Sequence, residues 1–237
     1  MRTDAHDLPL GARVQWTGAR RPARTELRGS YVLLRPPSAS ADAEPLYALT
    51  HPPTGDASIW TYMPDGPYES PAQLRRMLEW TAESDDPLFY TLVRLPDHQP
   101  LGLASYMRIA PEHGVIEIGR IWFGRPLQRT TAATEAIYLL AQHAFDQLGY
   151  RRLEWKCDAL NVASRSAAER YGFRFEGVFR KHMVVKGRNR DTAWYAITDD
   201  EWPAIRGGFE AWLARGNFDA AGGQRRSLRE LIERARG

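Results

Sequence analysis

What is missing from this chain narrows its chemistry. One residue in 237 is cysteine, so no internal disulfide staples the fold. Cys157, in the strand-like stretch Trp155-Lys156-Cys157-Asp158, reads as a buried thiol; a nucleophile would want a histidine partner that the sequence does not point to. The six histidines, His6, His51, His98, His113, His143 and His182, include no i,i+4 pair and no His-Glu-x-x-His, so no metal site is expected. Gly-x-Ser-x-Gly, the phosphate-loop lysine motif and Gly-x-Gly-x-x-Gly are absent, which removes the support for serine hydrolases, P-loop nucleotidases and Rossmann dehydrogenases. Apolar runs such as 136–141 fall far short of the roughly 18 residues of a membrane span. Asp4, His6 and Asp7 stand where a signal peptide needs an apolar stretch. A cytoplasmic protein with no membrane partner is the expectation. Charge of one sign is also scarce: 32 Lys and Arg against 29 Asp and Glu leave +3. The arginine pairs at 20–21, 75–76, 151–152 and 225–226 are scattered, so a nucleic-acid groove is not indicated, although anionic partners stay open.

What is present is a globular chain, 43% apolar and 26% charged, long enough to bury a core unaided. Residues 1–28 carry no sustained period and read as an N-terminal arm. Residues 27–35 read as a first strand ended by Pro36-Pro37. Helices are expected near 39–50, with Ser38 and Asp42 as caps, and near 71–83, with Ser70 as cap and Pro71 at the first position. The proline-rich segment 51–68 between them reads as a functional, lid-like loop rather than a packed element. Three strands follow, 88–95, 101–109 and 115–123, as an antiparallel meander. A helix over 131–148 stops at Gly149. A strand at 153–157, a helix at 161–170, a closing hairpin from 175–185 and 191–198, a helix carrying Trp202 to Trp212, and a short helix at 227–235 complete the chain. The pattern is α+β, a mixed and mostly antiparallel sheet flanked by helices, with boundaries at 1–28, 29–200 and 201–237.

One junction has the mechanics of an anion site. Strand 115–123 runs through Gly124-Arg125-Pro126-Leu127-Gln128-Arg129-Thr130-Thr131 into the long helix. A helix start leaves amide donors unpaired at the positive end of its dipole, and small side chains let a pyrophosphate come close. A plain threonine cap explains the same residues equally well.

Glu117-Ile118-Gly119, Trp122-Phe123, Gln128 through Thr134-Glu135-Ala136, and 144–152 together resemble the acetyl-CoA-binding region of the GNAT N-acetyltransferases. Asp158 to Asn161, Ser164, Gly172-Phe173 and Gly187-Arg188-Asn189-Arg190-Asp191-Thr192 resemble the RimJ/RimL branch, ribosomal-protein alanine N-acetyltransferases. The resemblance implies transfer of acetyl from acetyl-CoA to a primary amine, a protein N-terminus or a small-molecule amine, by direct attack. The family's loop, Gln/Arg-x-x-Gly-x-Gly/Ala, falls on Gln128-Arg129-Thr130-Thr131-Ala132-Ala133, with Thr131 in place of glycine and Arg129 at a further position where relatives often have glycine. The added Cβ of Thr131 is expected to restrict the loop if that position needs φ > 0, while Arg129 is either a phosphate contact or a solvated side chain.

The implied cofactor site comprises Ile121, Trp122, Phe123, Gln128, Arg129, Thr130, Thr131, Ala132, Ala133, Thr134, Asn161 and Ser164, with an oxyanion donor from the strand backbone at 121–123. The implied catalytic residues are Glu117 as base, Ser164 as the donor to the leaving thiolate, and Tyr171 as an alternative hydroxyl. For each a plain structural role competes: an ion pair of Glu117 with Arg120 or Arg108, a helix cap at Asn161, core packing for Tyr171. Residues 60–64 and helix 71–83 are expected to line the acceptor site. The rival reading is a catalytically weak acyl-CoA-binding or RNA-associated module, and a homodimer is left open.

Overall fold

The computed structural model describes residues 2–3 and 6–237. Two short strands, β1 (Arg2–Thr3) and β2 (Pro9–Leu10), pair antiparallel. The chain then runs without regular secondary structure to residue 26, tied down by bonds from the Ala19 and Arg20 amides to the Pro111 and Leu148 carbonyls and from the Trp16 indole to the Glu112 carbonyl. The main sheet holds β3 (Leu27–Arg28), β4 (Val32–Arg35), β5 (Leu88–Arg94), β6 (Gln99–Ala110), β7 (Val115–Phe123), β8 (Arg152–Asp158), β9 (Arg174–Val185) and β10 (Arg188–Thr198), in the order β3-β4-β5-β6-β7-β8-β10-β9. Every neighbouring pair is antiparallel except β7 with β8. The helices are α1 (Ala39–Thr50), α2 (Pro71–Glu83), α3 (Thr131–Gln142), α4 (Val162–Arg170), α5 (Trp202–Leu213) and α6 (Leu228–Ala235).

Alternation along the strands builds two cores on the two faces of the sheet. Leu88, Tyr90 and Leu92 of β5, with Ile116 and Ile118 of β7, meet Ile137 and Leu140 of α3 on one face. Phe89, Leu103 and Trp122 face the other way, onto Leu46 of α1 and Leu74 and Leu78 of α2. Each such buried aliphatic side chain contributes about 1.5–3 kcal/mol. The C-terminal residues are part of the first core: Trp202, Ile205, Phe209 and Trp212 are buried there, with Leu228 and Ile232 behind them. At the hairpin turn, Lys186 and Gly187 both take positive φ, 48° and 72°, which suits a two-residue connection between twisted strands.

Three expectations need correction. Residues 27–35 do not form one strand; β3 and β4 make a tight hairpin, because the Glu135 carboxylate takes the amides of Ser30, Tyr31 and Val32 at 2.8, 2.6 and 3.0 Å. The helix from 131 stays α-helical only to Gln142 and continues as a π turn over His143–Gln147 before Gly149 turns out at φ 78°. The 51–68 segment is packed: Ala57–Trp60 forms a 3₁₀ turn capped by Asp56, and Trp60 is 1% exposed between Tyr68 and Trp122. Proline content marked it as irregular, but an indole needs covering wherever it lies. Capping differs in detail as well. Ser70 accepts from the Gln73 amide as expected, whereas Ser38 makes no side-chain cap, and the Asp42 carboxylate reaches back to the Ser38 amide.

Candidate active site

β7 and β8 pair only at their beginnings, Val115–Glu117 against Arg152–Glu154. Beyond that point β8 remains paired with β10, and β7 is diverted by a bulge against β6 between Leu103 and Ser105, where Arg120 takes φ 50°. The β8-facing backbone of residues 118–123 therefore has no partner strand among the described residues. Because the two strands are parallel, both open toward their C-terminal ends. The α3 and α4 N-termini, which follow those ends, flank the same mouth.

At the α3 start, Thr130 is the cap: its hydroxyl accepts from the Ala133 amide at 3.2 Å and donates to the Leu127 carbonyl at 2.6 Å. Gln128 Nε2 braces the turn from below by donating to the Phe123 carbonyl at 2.8 Å. The amides of Arg129, Thr131 and Ala132 have no acceptor among the described residues, as an anion site requires. Ala132, Ala133 and Thr134 are buried, and the Thr134 hydroxyl accepts from Arg170 at 3.1 Å. The concern over positive φ belongs elsewhere than expected: Thr131 is the first helical residue with ordinary φ, and Arg129 is the one in the left-handed region, at 59°. Its guanidinium is exposed and has no partner among the described residues. A motif marks positions, and the backbone here places its glycine-like demand two residues earlier.

At the foot of the opening sits Glu117, 1% exposed, facing Glu154 in register across the parallel pair. Lys156 Nζ lies 3.1 Å from its Oε2 and Arg108 Nε 3.6 Å away. Arg120, the other partner considered, pairs instead with Asp65 at 3.2 Å. Burial pushes the Glu117 carboxyl up to about 7, against the pull of Lys156 and Arg108. Ser164 lies over β8, in the first turn of α4. Asn161 Oδ1 caps that helix by accepting the Ser164 amide at 3.0 Å, which leaves its Nδ2 free of that duty. The Ser164 hydroxyl accepts from the Trp155 indole at 3.0 Å and turns its own proton toward the neighbouring Cys157 sulfur, from which a ligand would have to draw it. Burial pushes the neighbouring Cys157 thiol up, which keeps it protonated.

Tyr171 is mainly a core residue, although its phenol meets Thr134 and Arg170 behind the α3 start. It is buried in the main core, with its ring stacked on Phe209 at 6.1 Å and tilted against Trp155, and burial raises its phenol. Ile121 and Phe123 back onto the main core, while Trp122 meets Trp60 at 5.5 Å on the opposite face. A narrow recess there is walled by Trp60, Met63, Met77 and Trp122 and crossed by the Asp65–Arg120 pair. Two bonds span the mouth: the Tyr62 hydroxyl to the Leu160 carbonyl at 3.2 Å, and Lys186 Nζ to the Trp60 carbonyl at 2.8 Å. Sequence reasoning did not single out Lys156, Glu154 or Asp65. The available signal was Glu154 and Lys156 alternating within a strand, which puts both charges on one face beside Glu117.

The sequence profile of the acetyltransferase (GNAT) domain matches residues 32–174. The chain belongs to the GNAT family. A GCN5-related N-acetyltransferase from Brucella melitensis superposes with a TM-score of 0.89 at 45% identity, covering 92% of this chain and 99% of that one. A probable GNAT-family acetyltransferase from Chromobacterium violaceum gives 0.74 at 40%, covering 86% and 100%. In sequence, the chain is 25% identical over 162 residues, 68% of its length and 88% of the relative's, to a Bacillus subtilis protein named "Putative ribosomal N-acetyltransferase YdaF". Membership makes this GNAT protein an acetyl-CoA-dependent N-acetyltransferase with the family's mixed, helix-flanked sheet. Acetyl-CoA fits what is present: free amides at the α3 start, small buried side chains behind them and an unpartnered strand edge. No helix of the described residues is long and apolar enough to cross a membrane.

Proposed function

We propose that this GNAT enzyme, working in the cytoplasm, acetylates a primary amine, a polypeptide N-terminus or a small-molecule amine, by direct attack with Glu117 as general base. The observation that carries the reading is the buried Glu117 carboxylate at the foot of the β7/β8 opening, within the span of the two helix starts. Acetyl-CoA supplies the acetyl group as a thioester. The unpaired amides of Arg129, Thr131 and Ala132 and the α3 dipole hold its pyrophosphate, and Asn161 Nδ2 and the 118–123 strand edge hold the arm between. An amide of the 121–123 segment meets the carbonyl oxygen as negative charge gathers there. Glu117, through a water, takes the proton the ammonium must lose, so that the nitrogen lone pair forms the new C–N bond while the C–S bond breaks. Ser164 gives its hydroxyl proton to the departing sulfur and is reprotonated, through water, by the second proton that the nitrogen sheds as it becomes an amide. Cys157 forms no covalent intermediate, and Tyr171, in the core, takes no part.

The test is a panel of amines, including peptides beginning with Ala or Ser, amino acids and polyamines, each incubated with acetyl-CoA while free thiol is measured. Amine-dependent thiol release with a mass gain of one acetyl group on the acceptor is expected. Saturable CoA binding, seen as a rise in melting temperature, with no release across the panel would support the rival acyl-CoA-binding module.

A further inference from the structure

Glu117 does not sit beside Lys156 by accident of side-chain packing. Lys156 is two residues beyond Glu154, the register partner of Glu117, and its own register partner on the other side is Trp194 of β10. Three neighbouring strands thus hold carboxylate, ammonium and indole in a row on one face of the sheet. Lys156 Nζ is 3.1 Å from Glu117 Oε2 and 5.1 Å from the centroid of the Trp194 ring, and its side chain is 12% exposed. Trp194 is itself fixed, buried against Phe179 at 5.0 Å and His182 at 6.0 Å. A buried ammonium is costly unless it is paired, and this one has an anion on one side and an aromatic face on the other.

Resting on the reading of Glu117 as base, we propose that Lys156, held by Trp194, is a positioning residue that keeps Glu117 an anion and orients the carboxylate that takes the amine's proton. The charges facing Glu117 from the surrounding strands leave Lys156 as the strongest. From β6, Arg108 stands farther off at 3.6 Å, is half exposed and also sits over Trp194 at 5.2 Å. From β8, Glu154 repels Glu117 but is answered by Arg152 at 2.7 Å. From β9, His182 lies near Lys156, with Arg190 of β10 near it in turn, and burial with these cations lowers the His182 imidazole so that it adds little positive charge. On β7 itself, Arg120 is occupied by Asp65. Against this field burial favours the neutral acid, and an ammonium at 3.1 Å is the group placed to oppose it.

The experiment follows kcat/KM against pH in wild type, Lys156→Met, Lys156→Arg and Glu117→Gln, after circular dichroism and CoA binding have shown each to be folded. Lys156→Met keeps the apolar stem on Trp194 and removes the charge; Lys156→Gln carries the same test should the Met variant not fold. The expected result is an acid limb displaced upward by about one to three pH units, at least tenfold lower activity at pH 7, and recovery toward wild type above the displaced limb. Lys156→Arg should leave the limb near its wild-type position. A ¹³C titration of labelled glutamate carboxyls should show the same displacement with no turnover. An unmoved limb and carboxyl titration in Lys156→Met, with the limb lost in Glu117→Gln, would overturn the role of Lys156 and leave the base reading standing. A limb still at its wild-type position in Glu117→Gln, beyond the rise set by the amine's own ionisation, would sink both.

Discussion

Among the buried carboxylates of the described residues, three keep very different company. Asp42 accepts from Arg35 at 3.0 and 2.5 Å, from the Ser38 amide at 2.9 Å and from the Thr91 hydroxyl at 2.7 Å. Glu135 accepts three successive amides of the β3–β4 turn. Each has its oxygens used up by fixed donors that can do nothing but hold the structure. Glu117 has two cations nearby, a second carboxylate in register, no backbone amide, and a carboxyl pushed up to about 7. The contrast shows how the same functional group is assigned to architecture in one place and left able to exchange a proton in another. The difference lies in whether its oxygens are filled by neutral or bidentate donors fixed in the fold, as at Asp42 and Glu135, or only faced by cations and a second carboxylate, as at Glu117.

The comparison breaks first at Glu135. Glu135→Ala strands three amides and unfastens α3 from the hairpin, and should cost about 3–5 kcal/mol, a large part of a domain's stability. Urea unfolding monitored by tryptophan fluorescence would show it. A midpoint near wild type would mean the hairpin holds itself.

Glu117→Gln should do the reverse, retaining the fold and CoA binding while lowering kcat/KM at pH 7 by about 10²–10⁴-fold, with the defect shrinking as pH rises and free amine becomes abundant. The wild-type acid limb should be centred near 7, because the base acts only when ionised. Stability carries a matching sign. The folded carboxyl titrates above its ordinary 4.5, so between there and about 7 the folded state binds more protons. The wild type's stability should therefore fall with rising pH across that window, and Glu117→Gln should remove this slope. Parallel melting curves for the two proteins from pH 4.5 to 8 would count against it.

Ser164→Ala should lower kcat toward the modest end of acid–base effects, about a hundredfold, with no rescue at high pH. A defect confined to KM would make the hydroxyl a binding group only. The smallest effects separate the two departures in the phosphate loop. Arg129→Gly relieves a left-handed residue and should add up to about 1 kcal/mol of stability, while Thr131→Gly, at the first helical position, relieves nothing and should lose a few tenths to about 1 kcal/mol. CoA affinity measured on both by calorimetry would show whether the exposed Arg129 guanidinium also touches phosphate, as a tenfold loss.

Much of this arrangement was legible in the sequence because it is local. The α3 start, the Asn161 cap and the 115–123 strand each follow from residues within a few positions of one another. What was not legible is long-range or conformational. Lys156 reaches Glu117 only because β7 and β8 pair in one particular register. Trp60 is buried by a tryptophan far along the chain. The 27–35 stretch has strand composition throughout and turns because a distant glutamate takes its amides. The left-handed backbone at Arg129 follows from how the strand hands over to the helix, and no residue type announces it.

The two bonds across the mouth of the opening both end on main-chain carbonyls, at Leu160 and at Trp60. Every amino acid brings the same carbonyl, so changing the side chain at 160 leaves that fastening intact. At Trp60 a change would disturb packing before it disturbed the bond. The clasp can be undone cleanly from its other half alone, the Tyr62 phenol and the Lys186 ammonium. What fastens the two rims to each other is thus written in two side chains, set on opposite sides of the gap.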